Sequence, residues 1–268
     1  KLNEIKSISF SGHMHGATCI DKDHEVIRPC ILWNDTRSHQ ECNDIMNDKS
    51  VMDIAGNIAM PGFTAPKVLW LKNNEFENFE LIHKVLLPKD YLRFYLTGEF
   101  FSDLSDASGT YWLDIEKRNW SNKLLEASFM NISQMPNICE GTDQTGVIKK
   151  DIAEKYDLNI NCKVFGGAGD NAAAAVGLRG GAELAEEVGD ELHEVRVRRA
   201  ELGGAQGPLH SVGLELGVPA GAHARHDLGA GLVVQLLLHA LLFEFAEAQV
   251  TRQLALLAIK VQIRDSCT

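Results

Sequence analysis

Lys163-Val-Phe-Gly-Gly-Ala-Gly-Asp170-Asn171-Ala-Ala-Ala-Ala-Val-Gly177 is the stretch that decides how this chain folds. It reads as a short apolar strand, a glycine turn and a helix opened by an acid. Glycines at 166, 167 and 169 permit a sharp bend and a close approach of the backbone to a neighbour. Asp170 falls in the first turn of an Ala-rich helix, where free N–H groups and the helix dipole favour a carboxylate. Two roles fit it equally well on local grounds: a helix cap, or a base at the floor of a cleft.

Upstream of this turn, strand-like and helix-like stretches alternate. Residues 5–10 read as a buried strand running into Ser11-Gly12-His13-Met14-His15-Gly16, a polar turn between two glycines. Residues 18–21 and 25–28 flank Lys22-Asp23-His24 as a hairpin. Ile31-Leu32-Trp33-Asn34-Asp35-Thr36-Arg37 reads as a short strand delivering an aromatic, an amide, a carboxylate and a guanidinium. That mixture can stack on and hydrogen-bond a polyol, and Asp35 or Thr36 is also placed to cap a helix over 37–48. Further helices are predicted over 51–59, from a Thr64 cap to 74, and over 76–82. A strand end follows at 85–87, then a helix over 88–97 with Pro88 at its start and Gly98 at its close. Asp103 and Asp106 lie three apart on one predicted turn. Two acids placed so do not flank a sugar as a glycosidase pair does, so capping and surface roles are expected. Helices at 121–128 and 149–157, a strand at 145–148 and a last strand at 162–165 complete this part. The alternation predicts an α/β layer with a parallel or mixed sheet, in which ligands collect beyond the strand ends. The turns at 12–16, 33–35 and 166–170 are all strand exits, and a common cleft would bring them together.

The chain has 268 residues, 45% of them hydrophobic, enough for a sizeable core in one or two domains. A net charge of -11 argues against a general nucleic-acid footprint, and no basic run marks a membrane surface. The six cysteines (19, 30, 42, 139, 162 and 267) form no Cys-x-x-Cys pair. Neither a zinc site nor a disulfide framework is indicated, and reduced thiols in a cytoplasmic protein are expected. The chain opens on Lys1 and passes at once into an apolar pattern, which reads as an interior start. Nothing in the sequence sets an oligomeric state.

Composition breaks near residue 179. Every Trp and Tyr lies before it; after it there is no Asn and one lysine, Lys260, while Ala, Gly, Leu, Val, Glu and Arg take over. The first vocabulary suits AT-rich codons and the second GC-rich ones. Residues 179–268 are therefore expected to be a tail of foreign composition, frame-shifted or chimeric, mostly helical or disordered. Its longest apolar run, about 229–243, contains Gln235 and His239 and is too short for a spanning helix. His223 and His226 lack the convergent partners a metal needs.

Several blocks, taken in order, carry a resemblance: Ser11-Gly-His-Met-His-Gly-Ala17, Ile31-Leu-Trp-Asn-Asp35, Met60-Pro-Gly-Phe-Thr-Ala-Pro-Lys67, Lys84-Val-Leu-Leu-Pro-Lys-Asp-Tyr-Leu92, Thr97-Gly-Glu99, Ser102-Asp-Leu-Ser-Asp-Ala107 and Gly166-Gly-Ala-Gly-Asp-Asn-Ala172. Over about 1–178 the chain resembles the FGGY family of carbohydrate kinases, on its xylulose-phosphorylating branch. The resemblance implies a ribonuclease-H-like, actin-like ATPase fold, with sugar held largely by a first lobe and ATP by a second. Residues 1–178 would be part of the first. Met14 and His15 match the family's sugar-contacting pair, Trp33 and Asp35 its aromatic–acid segment, Asp170 its catalytic base and Asn171 the neighbour at the sugar. The family usually has Gln where this chain has His13, which puts the local hydrogen bonding in doubt and leaves the pair intact.

The implied reaction moves the γ-phosphoryl group of ATP, with Mg²⁺, to D-xylulose, giving D-xylulose 5-phosphate. Such transfer is mostly positioning and charge stabilisation. Another sugar or polyol kinase, or a polyol-binding module without catalysis, would use the same pocket. The family's Asp-x-Gly-Thr phosphate loop is expected upstream of Lys1, and no ATP lobe is recognisable after 179. The polypeptide is accordingly expected to be inactive by itself.

Overall fold

The computed structural model describes residues 2–176; the compositional tail, 179–268, lies outside the described residues. A 3-10 turn (Leu2–Glu4) leads into β1 (Ser7–Ile8), β2 (Ser11–Gly12) and β3 (Thr18–Ile20). Four helices follow: α1 (His39–Met46), α2 (Lys49–Ala55), α3 (Thr64–Asn74) and α4 (Phe76–Glu80). Then come β4 (Lys84–Leu86), α5 (Pro88–Thr97), β5 (Phe101–Asp103) and α6 (Leu104–Ala107). The pair β6 (Leu113–Asp114) and β7 (Asn119–Trp120) precedes α7 (Asn122–Glu126), β8 (Asn137–Cys139), β9 (Gln144–Val147) and α8 (Lys150–Tyr156). β10 (Lys163–Phe165) and β11 (Ala168–Gly169) deliver the chain to helical residues 170–176.

The strands form short ladders of both senses, as the alternating pattern predicts. β10 lies parallel to β1, with Val164 opposite Ile8, and antiparallel to β9. Beyond a bend, β11 lies parallel to β2, with Ala168 opposite Ser11 and Gly169 opposite Gly12. β5 runs parallel to β8, and β3 antiparallel to β4. The first two strands are therefore paired with the last two. Ile5, Ile8 and Phe10 from one end and Cys162 and Val164 from the other are buried with Leu92 and Leu96 of α5, with Ile148 and with Ile152 of α8. Each large side chain so buried contributes roughly 1.5–3 kcal/mol. A second core joins α1, α2 and α3 to Trp112, Leu124 and Leu125. The five described cysteines are buried and unpaired.

Local signals hold at several ends. α5 begins with Pro88, and Gly98 closes it in the left-handed region at φ 79°. Ser121 caps α7, and the 22–24 turn closes as a hairpin in which Ile20 bridges Val26. Elsewhere tertiary partners override them. Residues 31–37 are not a strand: Ile31 alone bridges, to Ala17, and the Asp35 amide turns back to the Leu32 carbonyl at 3.2 Å. Neither Asp35 nor Thr36 caps α1; Ser38 holds that position without a side-chain bond, because the Asp35 carboxylate is taken by Arg37. Thr64 is the first residue of α3 rather than its cap, and its hydroxyl donates to the His15 carbonyl at 3.1 Å.

The expectation for Asp103 and Asp106 needs correction. Asp103 does cap α6, yet both acids are buried rather than on the surface, 1% and 0% exposed. The Lys89 ammonium contacts Asp90 at 2.6 Å, Asp106 at 3.2 Å and Asp103 more closely still. Arg93 pairs with Asp90 at 3.1 Å, and all five side chains are shut from solvent. Burial raises the Asp106 carboxyl to about 8, against the pull of Lys89 and with the push of Asp90 and Asp103. Removing the central cation leaves the acids without compensation. Lys89→Met is expected to cost about 3–5 kcal/mol, measured by urea unfolding of the chain; a loss under about 1 kcal/mol would show that the acids do not depend on it.

Candidate functional site

The site is set by the parallel contact of β2 with β11. Residues 13–16 leave the end of β2 as residues 169–170 leave the end of β11. Gly169 packs so tightly on this turn that a β-carbon there would sit 2.8 Å from Met14 Cγ and 3.0 Å from its sulfur. Gly167 turns at φ 74°, and a side chain there would run into the Phe10 carbonyl. Only glycine at both positions lets the Gly166–Asp170 turn lie along β2. Asp170 follows directly and is exposed, as is Asn171, whose amide donates to Asp170 Oδ1 at 2.8 Å. The Asp170 charge acts on both His13 and His15, favouring their protonated forms.

His15 adopts the left-handed backbone, φ 71°, where a β-carbon is normally strained. Three contacts over-determine it. Its Nδ1 lies 2.7 Å from the Gly109 carbonyl, and its own carbonyl accepts from Thr64 Oγ1 at 3.1 Å and from Lys67 Nζ at 2.9 Å. Its ring lies 5.0 Å from Phe63, which stacks on Tyr111. A carbonyl can only accept, so Nδ1 carries the hydrogen and the neutral ring offers Nε2 as an acceptor. Burial lowers the His15 pKa, with the Gly109 bond and Asp170 opposing and Lys67 assisting. The ring is therefore mainly neutral at pH 7. His13 is likewise lowered by burial, and its Nε2 is buried with no hydrogen-bond partner among the described residues.

The structure thus packs Gly169, the residue before Asp170, on Met14, and brings the Asp170 charge close enough to act on His15. Trp33 and Asp35 stand on a neighbouring loop. Trp33 is 57% exposed, and its backbone carbonyl packs on Gly62. Asp35 is gripped by Arg37 through bonds of 2.9 and 2.8 Å, which hold its carboxyl below the usual range, and Arg37 in turn stacks over Trp70 at 4.8 Å. The link between that loop and the histidine turn is Lys67, whose Nζ donates to the carbonyls of both His15 and Gly62 and whose charge acts on Asp35.

Lys67, to which sequence reasoning gave no role, is the side chain that ties the two loops; a lysine inside the otherwise uncharged run Ala65-Pro66-Lys67-Val68-Leu69 was the available signal. Among the described residues no group of three or more His, Cys, Asp and Glu could hold a metal ion. The glycine turn packs on Phe10, Met14 and Glu140 rather than opening as a phosphate cradle. Burial lowers the Lys67 ammonium to about 8, with Cys30 and Asp35 opposing. The unfolded chain binds this proton up to about 10.4, so the burial cost of the charge is fully present below pH 8 and is relieved as pH rises from there. We expect the Lys67 side-chain carbons to titrate near pH 8 by NMR; a midpoint near the ordinary lysine value would place the amine in water instead.

Residues 1–177 match the model of the FGGY family of carbohydrate kinases, N-terminal domain. The xylulose kinase of Klebsiella pneumoniae is 48% identical over 179 residues, covering 66% of this chain and 37% of that protein. The xylulose kinase of Lactococcus lactis is 44% identical over 188 residues, covering 69% and 37%. Among solved structures, a xyloylose kinase from Brucella ovis superposes with a TM-score of 0.56 at 49% identity, over 60% of this chain and 32% of that one. The chain thus spans about a third of the length of these relatives, and its described part has the fold of an actin-like ATPase lobe. It belongs to the FGGY family of carbohydrate kinases.

Proposed function

We propose that residues 1–178 are part of the sugar-binding lobe of an ATP-dependent kinase that converts D-xylulose to D-xylulose 5-phosphate, with 179–268 a separate segment of different origin. The contact of Met14 and His15 with the turn that carries Asp170 supports it best. In this reading the sugar lies over Met14, and one hydroxyl donates to His15 Nε2. Trp33 and Asp35 border the pocket from the next loop, and Asn171 stands beside the base. The terminal hydroxyl is oriented by the Asp170 carboxylate, which accepts its proton as the oxygen attacks the γ-phosphorus and the bond to the ADP leaving group breaks. ATP is the phosphoryl donor, and Mg²⁺, held with it by the rest of the enzyme, neutralises phosphate charge. Nucleic acids and membranes have no part in this reaction, and a cytoplasmic location suits its substrates. The names of the relatives support xylulose as the sugar.

Replacing the aspartate that aligns with Asp170 by asparagine in the intact Klebsiella pneumoniae enzyme should reduce kcat by about 10²–10⁴-fold while sugar binding persists. Near-normal turnover would overturn the assignment of the base. Titrating the present chain with D-xylulose, L-ribulose and glycerol tests the sugar. Preference for D-xylulose is expected, without ATP turnover, and equal or stronger binding of either other ligand would move the chain to a different branch of the family.

A further inference from the structure

The buried charge cluster is not confined to its own interior. Arg93, fully enclosed, sends one guanidinium nitrogen to the Phe101 carbonyl at 2.7 Å and the other to the carbonyl of Gly166, the first residue of the glycine turn. At the other end of that turn, the Gly169 amide donates to Ser105 Oγ at 3.2 Å. The Ser105 hydroxyl in turn donates to Asp103 Oδ1, the carboxylate that Lys89 contacts through its other oxygen. The same Asp103 oxygen accepts the backbone amides of Ser105 and Asp106 at 3.1 Å each, which caps α6. Asp90 ties the two arms together, pairing with Lys89 and Arg93 and accepting from Ser102 Oγ at 2.6 Å.

We propose that Arg93 and Ser105 are positioning residues for Asp170: the buried cluster clamps the Gly166–Gly169 turn at both ends and so fixes where the Asp170 carboxylate stands relative to His15. Its functional meaning rests on the proposed role of Asp170, but the clamp itself is a statement about geometry. The direction of each bond agrees with it. The serine hydrogen is committed to Asp103, which leaves the oxygen lone pairs to receive the Gly169 N–H. The guanidinium donates only, and the Gly166 carbonyl accepts. The Gly166 end is thereby bonded to Arg93, itself ion-paired in a dry interior where such bonds are strong and costly to leave unmade, and the Gly169 end to the half-buried Ser105, which the buried Asp103 carboxylate holds. Backbone bonds from Gly166 to the Asp143 carbonyl at 3.0 Å, from Gly167 to the Gly141 carbonyl at 2.8 Å and from Ala168 to the Phe10 carbonyl at 3.0 Å also hold the turn, and Arg93 and Ser105 add the side-chain bonds that tie its two ends to the buried cluster.

The test uses the chain itself and needs no turnover. The His15 imidazole is titrated by NMR in four proteins: wild type, Asp170→Asn, Ser105→Ala and the double variant. With Ser105 present, Asp170→Asn should lower the His15 midpoint, because the carboxylate favours the imidazolium. With Ser105→Ala, the same change should lower it measurably less, and Ser105→Thr should restore the full difference. Exchange of the Gly169 amide should rise about tenfold in Ser105→Ala and not in Ser105→Thr. An undiminished Asp170–His15 coupling in Ser105→Ala, or unchanged protection of the Gly169 amide, would overturn the clamp. Arg93→Lys keeps a cation but loses the fork, and loss of Asp170–His15 coupling in that variant is expected as well. If it does not fold, the serine series decides alone. Should the coupling behave as expected while the chain ignores D-xylulose, the clamp stands and the proposed function fails.

Discussion

The structure depends on the parallel pairing of two segments from opposite ends of the described chain. β1 meets β10 and β2 meets β11, and every site residue near Asp170 inherits its place from that register. Closing so long a loop costs entropy that grows only slowly with its length, and the core around Ile8, Phe10, Cys162 and Val164 offsets it. Side chains alternate between faces along a strand, so a slip of one residue would exchange buried for exposed positions. It would also move Gly169 off Met14, where no larger residue fits. The contact between Met14 and Gly169, the residue that leads into Asp170, is thus built into the strand register.

Around this frame the protein places charges where an apolar interior would be cheaper. Lys89, Asp90, Arg93, Asp103 and Asp106 are all buried, and Lys67 is buried with backbone carbonyls as its acceptors. Buried ion pairs are poor sources of stability, because desolvation can exceed the Coulombic gain. What these charges do supply is direction. Lys67 binds the carbonyls of His15 and Gly62, and Arg93 that of Gly166, so each pins a loop that no regular ladder holds. His15 stays in a left-handed conformation because three separate contacts act on it.

A good deal of this was legible in the sequence. Pro88 and Gly98 marked the ends of α5, and the run into Gly166-Gly167-Ala168-Gly169-Asp170 marked a strand, a turn and an acid-led helix. Those signals are local: proline fixes its own φ, glycine permits its own bend, and a carboxylate meets the amides of the next turn. The misplaced features are those in which a polar side chain found another partner. Thr64 went to the distant His15 instead of capping α3, and Asp35 went to Arg37, two residues on, instead of capping α1. Asp103 and Asp106 were expected in capping and surface roles; the cation that holds them in the interior stands on α5.

By itself, then, the sequence determined the alternation of elements, through residue type at short spacing, and the family, through motif blocks in order along residues 1–178. Tertiary structure alone decided that Asp170 stands beside His15, that Lys67 and Arg93 turn their charges on backbone carbonyls, and that three acids and two cations share a dry interior. Those outcomes depend on which distant strands pair and in what register. Desolvation and Coulomb energies are properties of that arrangement, and no short window of residues contains them.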